Sequence, residues 1–552
     1  MNDPGWNMYV FRDGRRTVSG AELVASLSGA LCRWRNAQEN ASEDCVLAAL
    51  IAAGELECAL LDAGGSAETC RLASEITEAL ALALLTRQED SDILILVQKA
   101  QRLAVPGSYQ LAVQEGFAYY ALHPHKIAML LETLPLGQPM VVLGIRSIGV
   151  TLSAVACAAF RLRGVECKRT TVRPTGHPYD RRLELTPEFR EWLARAGPGE
   201  FLIVDEGPGI SGSSFLSVAE ALVSCGIEDK RIHLAGSRMV NPATLRAANA
   251  AERWARHHFH VMQSAPLPPE EAGESLSGGT WRRWFHYGEN STPASWAPLE
   301  PAKFLACDEQ SIFRFEGFGH YGQAIGSRAR MLAASGFSPR YLGNRRGFGQ
   351  YELVSGRGLT PDDRSPQLLE RIAAYLTLRS TASAFASSTP QSAEIENMLR
   401  WNWQLEFDEE LGSAESQLRT GRMVVCDGRM MPHKWLCSDR GELLKLDAGS
   451  HGDNHFFPGP CDIAWDVAGA IVEWEMQGEV RERFLCEYEA RSGDAVRPRL
   501  APYLLAYTAF WLGWCRMGAL AMQGEYDEAL LQRDYLRYRT LALRLRPMAR
   551  AA

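Results

Sequence analysis

Apolar positions between Gly20 and Gln101 recur at helical spacing, richest in Ala and Leu at 47–52 and 76–86, with Gly64-Gly65 breaking the run between them. This stretch predicts helices and carries no chemistry of its own. The pattern then changes. Short apolar runs at 141–144, 170–172 and 201–204 alternate with amphipathic stretches at 151–163 and 214–224, which predicts an α/β unit with a parallel sheet flanked by helices. Residues 201–204 are continuously apolar, as in a strand buried on both faces. Phe215, Leu216, Val218, Ala219, Leu222 and Val223 follow at helical spacing and give one face to pack on that sheet.

Residues 262–302 break the alternation, because Pro266, Pro268, Pro269, Gly273, Gly278, Gly279, Pro293, Pro298 and Pro301 leave no room for a long element. Beyond them, a strand-rich stretch at 303–358 and a largely helical remainder predict a two-lobed α+β unit, an arrangement that often places ligands between its lobes. The expected division is a helical region 1–100, the α/β unit 101–265, a linker 266–302 and the second unit 303–552. Trp281, Trp284 and Trp296 are expected to seal the joint. The apolar run 503–515, bounded by Pro502 and Arg516, is too short for a bilayer and reads as a buried helix.

Composition narrows the function. With 46% hydrophobic and 22% charged residues the chain reads as an ordinary soluble protein, and 552 residues exceed one core. Its net charge of -8, from 58 basic and 66 acidic residues, argues against nucleic acid and favours small molecules. Thirteen cysteines without a C-x-x-C pair indicate neither zinc nor a disulfide framework and fit a cytoplasmic location. The N-terminus does not read as a signal peptide, and no membrane partner is expected. Homo-oligomerisation stays open.

The run at 201–204 ends at Asp205-Glu206-Gly207-Pro208-Gly209-Ile210-Ser211-Gly212-Ser213-Ser214. Its glycines and hydroxyls let backbone N–H groups approach an anion, with Ser213 or Ser214 capping the next helix. These residues resemble the phosphoribosyl pyrophosphate loop of type I phosphoribosyltransferases. The resemblance implies that Asp205 and Glu206 hold ribose hydroxyls while Gly207, Gly209, Ser211, Gly212, Ser213 and Ser214 cradle phosphate. One extra residue separates the acids from Ser211. Upstream, Gly144-Ile145-Arg146-Ser147-Ile148-Gly149-Val150-Thr151 resembles the family's pyrophosphate loop, which makes Arg146 the basic partner and Ser147, Gly149 and Thr151 binding residues. The broken segment 173–182, starting at Arg173, reads as a flap over the substrate. The activity implied is phosphoribosyl transfer from phosphoribosyl pyrophosphate to an unidentified acceptor. Its rival is a non-catalytic sensor of that compound or of a nucleotide.

In the second unit, Arg314 precedes a G-x-G-x-x-G at Gly317, Gly319 and Gly322, which alone is a weak signal. Downstream, Asp427, Asp447 and Asp462-Ile463-Ala464 fall in an order that resembles the aminoglycoside phosphotransferase and protein-kinase-like superfamily. That resemblance implies ATP as co-substrate, Asp427 as the catalytic acid, Asp447 as the Mg2+ ligand, and Arg314 or Lys303 as the nucleotide anchor. It departs from the pattern in Val425-Cys426 before Asp427 and in Pro432-His433 where a metal-binding Asn is expected. Asp453, in His451-Gly452-Asp453, is a rival catalytic acid. His451 and His455 read as a structural or surface pair, and the competing reading of Asp427, Asp447 and Asp466 is solvated turn or cap residues.

Overall fold

The computed structural model describes residues 4–37, 39–86, 91–134, 138–195, 199–284, 292–387 and 392–550. Helices Gly20–Arg35, Glu39–Asp62, Ala67–Thr86 and Ser91–Gln101 fill the N-terminal stretch. The first starts at a capping box: Ser19 Oγ accepts from Glu22 N, and the Glu22 carboxylate accepts from Ser19 N. Leu23, Leu27, Leu31 and Trp34 form its buried face.

These helices do not make a separate body. Every residue from 46 to 60 is buried, so helix Glu39–Asp62 has no polar side to turn to water and must be covered all round. Its Leu50 shares one core with Val142, Leu152 and Leu202 of the α/β unit and with Phe313, Phe315 and Phe348 beyond the linker. Two acids inside this helix are neutralised from either side. Glu55 pairs with Arg16 at 3.0 Å and accepts from Tyr321 Oη at 2.8 Å, and Glu57 pairs with Arg169 at 3.1 Å.

The α/β unit holds five parallel strands in the order Cys167–Val172, Met140–Ile145, Glu200–Val204, Ile232–Gly236, His258–Val261. Met140 faces Cys167 on one side and Glu200 on the other, so the chain changes direction across the sheet here. The loops after Ile145 and Val204 therefore open on a common crevice. A Cβ on Gly149 would lie 2.7 Å from Val204 O, so glycine lets the helix Ile148–Leu162 start against the neighbouring strand.

The second sheet is antiparallel, in the order Ala272–Ser275, Lys303–Ala306, Ser311–Phe315, Phe348–Glu352, Tyr341–Arg345, with helix His320–Ala334 beside it. Its first strand falls inside the expected linker, where four residues suffice despite the flanking glycines and prolines. The remainder is mostly helical. Helix Arg497–Ala521 contains the apolar run and continues through Pro502, and no helix among the described residues is long and apolar enough to cross a membrane. Met8 and Val10 belong to this C-terminal core; Tyr9 N donates to Asn402 Oδ1 at 2.7 Å and Phe11 bridges Phe456.

Arg169 and Glu57 are 1% and 2% exposed at their side chains. Arg169→Ala leaves Glu57 charged and unpaired and is expected to cost about 3–5 kcal/mol, seen as a lower urea midpoint. Adding Glu57→Met should restore most of the loss.

Candidate functional site

The loop expected to hold a sugar phosphate is folded onto its own chain. Segment 173–182, expected to be too broken for regular structure, is a two-stranded hairpin of Thr175–His177 and Asp180–Arg182. Its Pro178 carbonyl accepts from Ser211 Oγ at 2.8 Å and from Ser213 Oγ at 2.7 Å. The hydroxyls meant for phosphate are thus engaged. The helix cap is Gly212, at φ 69°, in place of Ser213 or Ser214, and Gly207 sits beside Arg238 while Gly209 faces open space.

Arg146 and Arg173 both turn to Asp62, with Arg146 Nη1 and Arg173 Nε each 3.1 Å from its Oδ1. Ser147 takes φ 123° and its carbonyl accepts from Gln114. Thr151 is fully buried against Gly54, where it contributes packing. Burial pushes the Asp205 carboxyl up to about 7, against the pull of Arg173 and Arg181. Burial, helped by Glu115 and Asp205, pushes Glu206 up to about 8, and Glu206 Oε2 accepts from Gly116 N at 2.9 Å.

The second unit presents a different chemistry. Two cavities open between its antiparallel sheet and its helical part. One is apolar, walled by Leu276, Ile312, Leu332, Val354, Leu436 and Leu446. The other is aromatic, walled by Tyr119, Tyr120, Trp296, Phe456 and Trp514, with His451 at its edge. Trp281, Lys303, Arg314, His433, Lys434 and Asp447 border both and form a waist between them. Lys303 and Arg314 come from adjacent strands in direct register, which aims both at the waist.

Asp447 is the centre of that waist. Its carboxylate lies 2.9 Å from Lys303 Nζ, 3.2 Å from Lys434 Nζ and 3.3 Å from Arg314 Nε. Burial alone would raise its pKa, but Lys303, Arg314 and Lys434 hold it well below the usual carboxylate range. Burial also brings Lys434 down to about 8.

Asp427 is fully buried. It pairs with Lys445 Nζ at 3.0 Å and His451 Nδ1 at 2.9 Å, and accepts from Tyr375 Oη. Despite burial, Lys445 and His451 lower its pKa. Asp466, also buried, accepts from Asp427 N at 2.7 Å and Gly428 N at 2.8 Å and faces Arg379 at 3.7 Å. Neither acid is a solvated turn residue, and Asp427, expected as the catalytic acid, is sealed from any substrate. It orients His451, whose Nε2 lies 3.8 Å from Asp447 in the aromatic cavity. A Cβ at Gly452 would collide with Cys426 O at 1.5 Å, so glycine lets this loop close on the strand before Asp427. The Asp453 side chain lies outside the described residues.

Mg2+ does not fit this donor set. A hard divalent ion wants several oxygen ligands in a net negative site, whereas Asp447 is one carboxylate beneath three cations. Pro432 and His433 fall where a second metal ligand was expected. The G-x-G-x-x-G is displaced as well: Gly319 and Gly322 line a separate groove with Asp44, and Gly319 packs on Ala48. Its glycines serve helix contact, because Phe318 inserts into the N-terminal core.

Sequence reasoning brought Lys303, Arg314 and Asp447 forward and missed Lys434, Arg429 and the role of His451. The signal for the first two was present, since Arg429, His433 and Lys434 crowd six positions after a strand end. His451 and His455 are not a pair: His455 packs among Phe11, Tyr119 and Phe456. Trp281 and Trp296 do wall the cavities, while Trp284 stays 43% exposed.

No protein-family model and no curated protein matches the chain. Among solved structures it is similar to a choline/ethanolamine kinase family protein from Mesorhizobium loti, at 15% identity over 46% of this chain and 90% of that one, TM-score 0.34. The choline kinase LicA from Streptococcus pneumoniae is similar at 15% identity, over 50% and 95%, TM-score 0.34. A third is the macrolide 2'-phosphotransferase MphH from Brachybacterium faecium, at 16%, over 43% and 88%, TM-score 0.30. These similar chains are kinases and a phosphotransferase by description. The expected phosphoribosyltransferase activity is corrected on geometry: the Ser211 and Ser213 hydroxyls that were to cradle phosphate are taken by the Pro178 carbonyl.

Glu206 binds its proton more tightly folded than unfolded, so the stability this confers is whole below its ordinary value of 4.5 and is lost as pH rises through about 8. Glu206→Gln is expected to flatten that fall, as judged by urea midpoints measured at about pH 5 and about pH 8.

Proposed function

We propose that the C-terminal unit is a kinase-like phosphotransferase whose nucleotide base occupies the apolar cavity, with its polyphosphate at the waist and an acceptor hydroxyl in the aromatic cavity. The observation that carries this reading is the shared border of Lys303, Arg314, Lys434 and Asp447 between two chambers of different character. A flat apolar base and a polyanion ask for those two environments side by side.

Transfer forms a bond from the acceptor oxygen to the terminal phosphorus while the bridging P–O bond breaks. Charge gathers on the leaving diphosphate oxygen, and the waist cations stabilise it. The acceptor hydroxyl donates to His451 Nε2, and its proton leaves late, onto an oxygen of the transferred phosphoryl group. Asp427 holds Nδ1 at 2.9 Å, which fixes the tautomer with its lone pair on Nε2. Burial lowers the His451 pKa to about 3, so the ring stays neutral and orients the acceptor hydroxyl as a hydrogen-bond acceptor, too weak a base to take its proton.

A second reading is a non-catalytic nucleotide sensor, and the sealing of Asp427 favours it. Lys303→Ala removes one of three phosphate contacts and is expected to weaken ATP binding about tenfold or more, measured by calorimetry on the full chain. Unchanged affinity would remove the cleft from consideration. ATP binding without ADP release, in the presence of a pool of small hydroxyl compounds, would move the assignment to the sensor.

A further inference from the structure

Charge does not balance at the waist. Lys303, Lys434 and Arg314 are 14%, 13% and 6% exposed at their side chains, and they converge on the single carboxylate of Asp447. Glu300 offsets part of the remainder: burial works against its ionisation, and Lys303 and Lys434 outweigh it. In the aromatic cavity Arg429, beside Trp511 and Trp514, adds a further cation, and Glu316, facing Arg314, a further carboxylate, so the three cations on Asp447 still exceed what Glu300 offsets. Arg314 Nε is buried and meets Asp447 Oδ1 at 3.3 Å without an aligned hydrogen bond. An anion with several acceptor oxygens entering the waist would give it an aligned partner.

A nucleotide that arrives with a divalent ion brings less negative charge to this site and a second positive centre. The ion would have to displace cations already within 3.3 Å of Asp447, and like charges repel strongly in a shielded cleft. Within the nucleotide-binding reading on which this rests, we propose that the cleft takes its polyphosphate free of divalent metal, with Lys303, Arg314 and Lys434 supplying the positive charge at the phosphate oxygens. Mg2+ then competes with the protein for the ligand.

Calorimetric titration of the full chain with ATP tests this, once in EDTA and once in excess Mg2+ at matched ionic strength. Binding is expected to be tighter in EDTA, by about threefold or more. Lys434→Asp places a second carboxylate beside Asp447 and is expected to reverse that order, while Lys434→Met weakens binding in EDTA without creating a metal site and controls for folding. Tighter binding in Mg2+ by the unaltered chain overturns the metal-free inference and leaves the nucleotide reading standing. No ATP binding under either condition removes both.

Discussion

Two carboxylates and two cations sealed from water must neutralise one another: Asp427 and Asp466 against Lys445 and Arg379. Their mutual attraction is strong only because each has its partner, and removal of any one leaves a buried charge exposed to nothing but protein. This requirement fixes the backbone at 427 and 428 through the Asp466 oxygens, and with it the direction in which Arg429 and the 432–434 turn leave the core. It also pins His451. The cleft is therefore a consequence of electroneutrality beneath it, and the residues that touch the cavities inherit their positions from residues that never do.

A second constraint acts from the N-terminal half. Helix Glu39–Asp62 is covered on one side by the parallel sheet's helix and on another by the turn that opens helix His320–Ala334. Tyr119 and Tyr120, which follow Gly116 and its bond to Glu206, reach the aromatic cavity. The wall of the cleft is thus built partly by residues whose backbone is held at the tip of the parallel sheet.

Three of the five strands of the parallel sheet were legible because continuous apolar runs such as 201–204 leave few alternatives, whereas Ile232–Gly236 and His258–Val261 are interrupted by histidines and were not. The central position of helix Glu39–Asp62 was not, since a helix buried on all sides shows no amphipathic stripe to say what covers it. Lys303, Arg314 and Asp447 could be singled out from strand ends and spacing. Burial of Asp427 could not be read locally: Tyr375, Lys445 and His451 approach it from different segments. The sugar-phosphate loop had the right residue types, but what occupied its hydroxyls was Pro178, 33 positions upstream of Ser211. A motif states what a loop is able to hold and is silent on what the chain itself puts there.

The bond from Tyr9 to Asn402 spans 393 positions. During synthesis Met8, Val10 and Phe11 emerge hundreds of residues before the core that receives them, so this strap has no docking place until the helix Arg497–Ala521 and the Phe456 loop exist. The entropic cost of closing a loop grows only slowly with its length, so a separation this long is no bar to the contact. The strap ties the first residues to the last core, and the molecule resists division into halves, because each part of a split chain would expose apolar surface that the other covers.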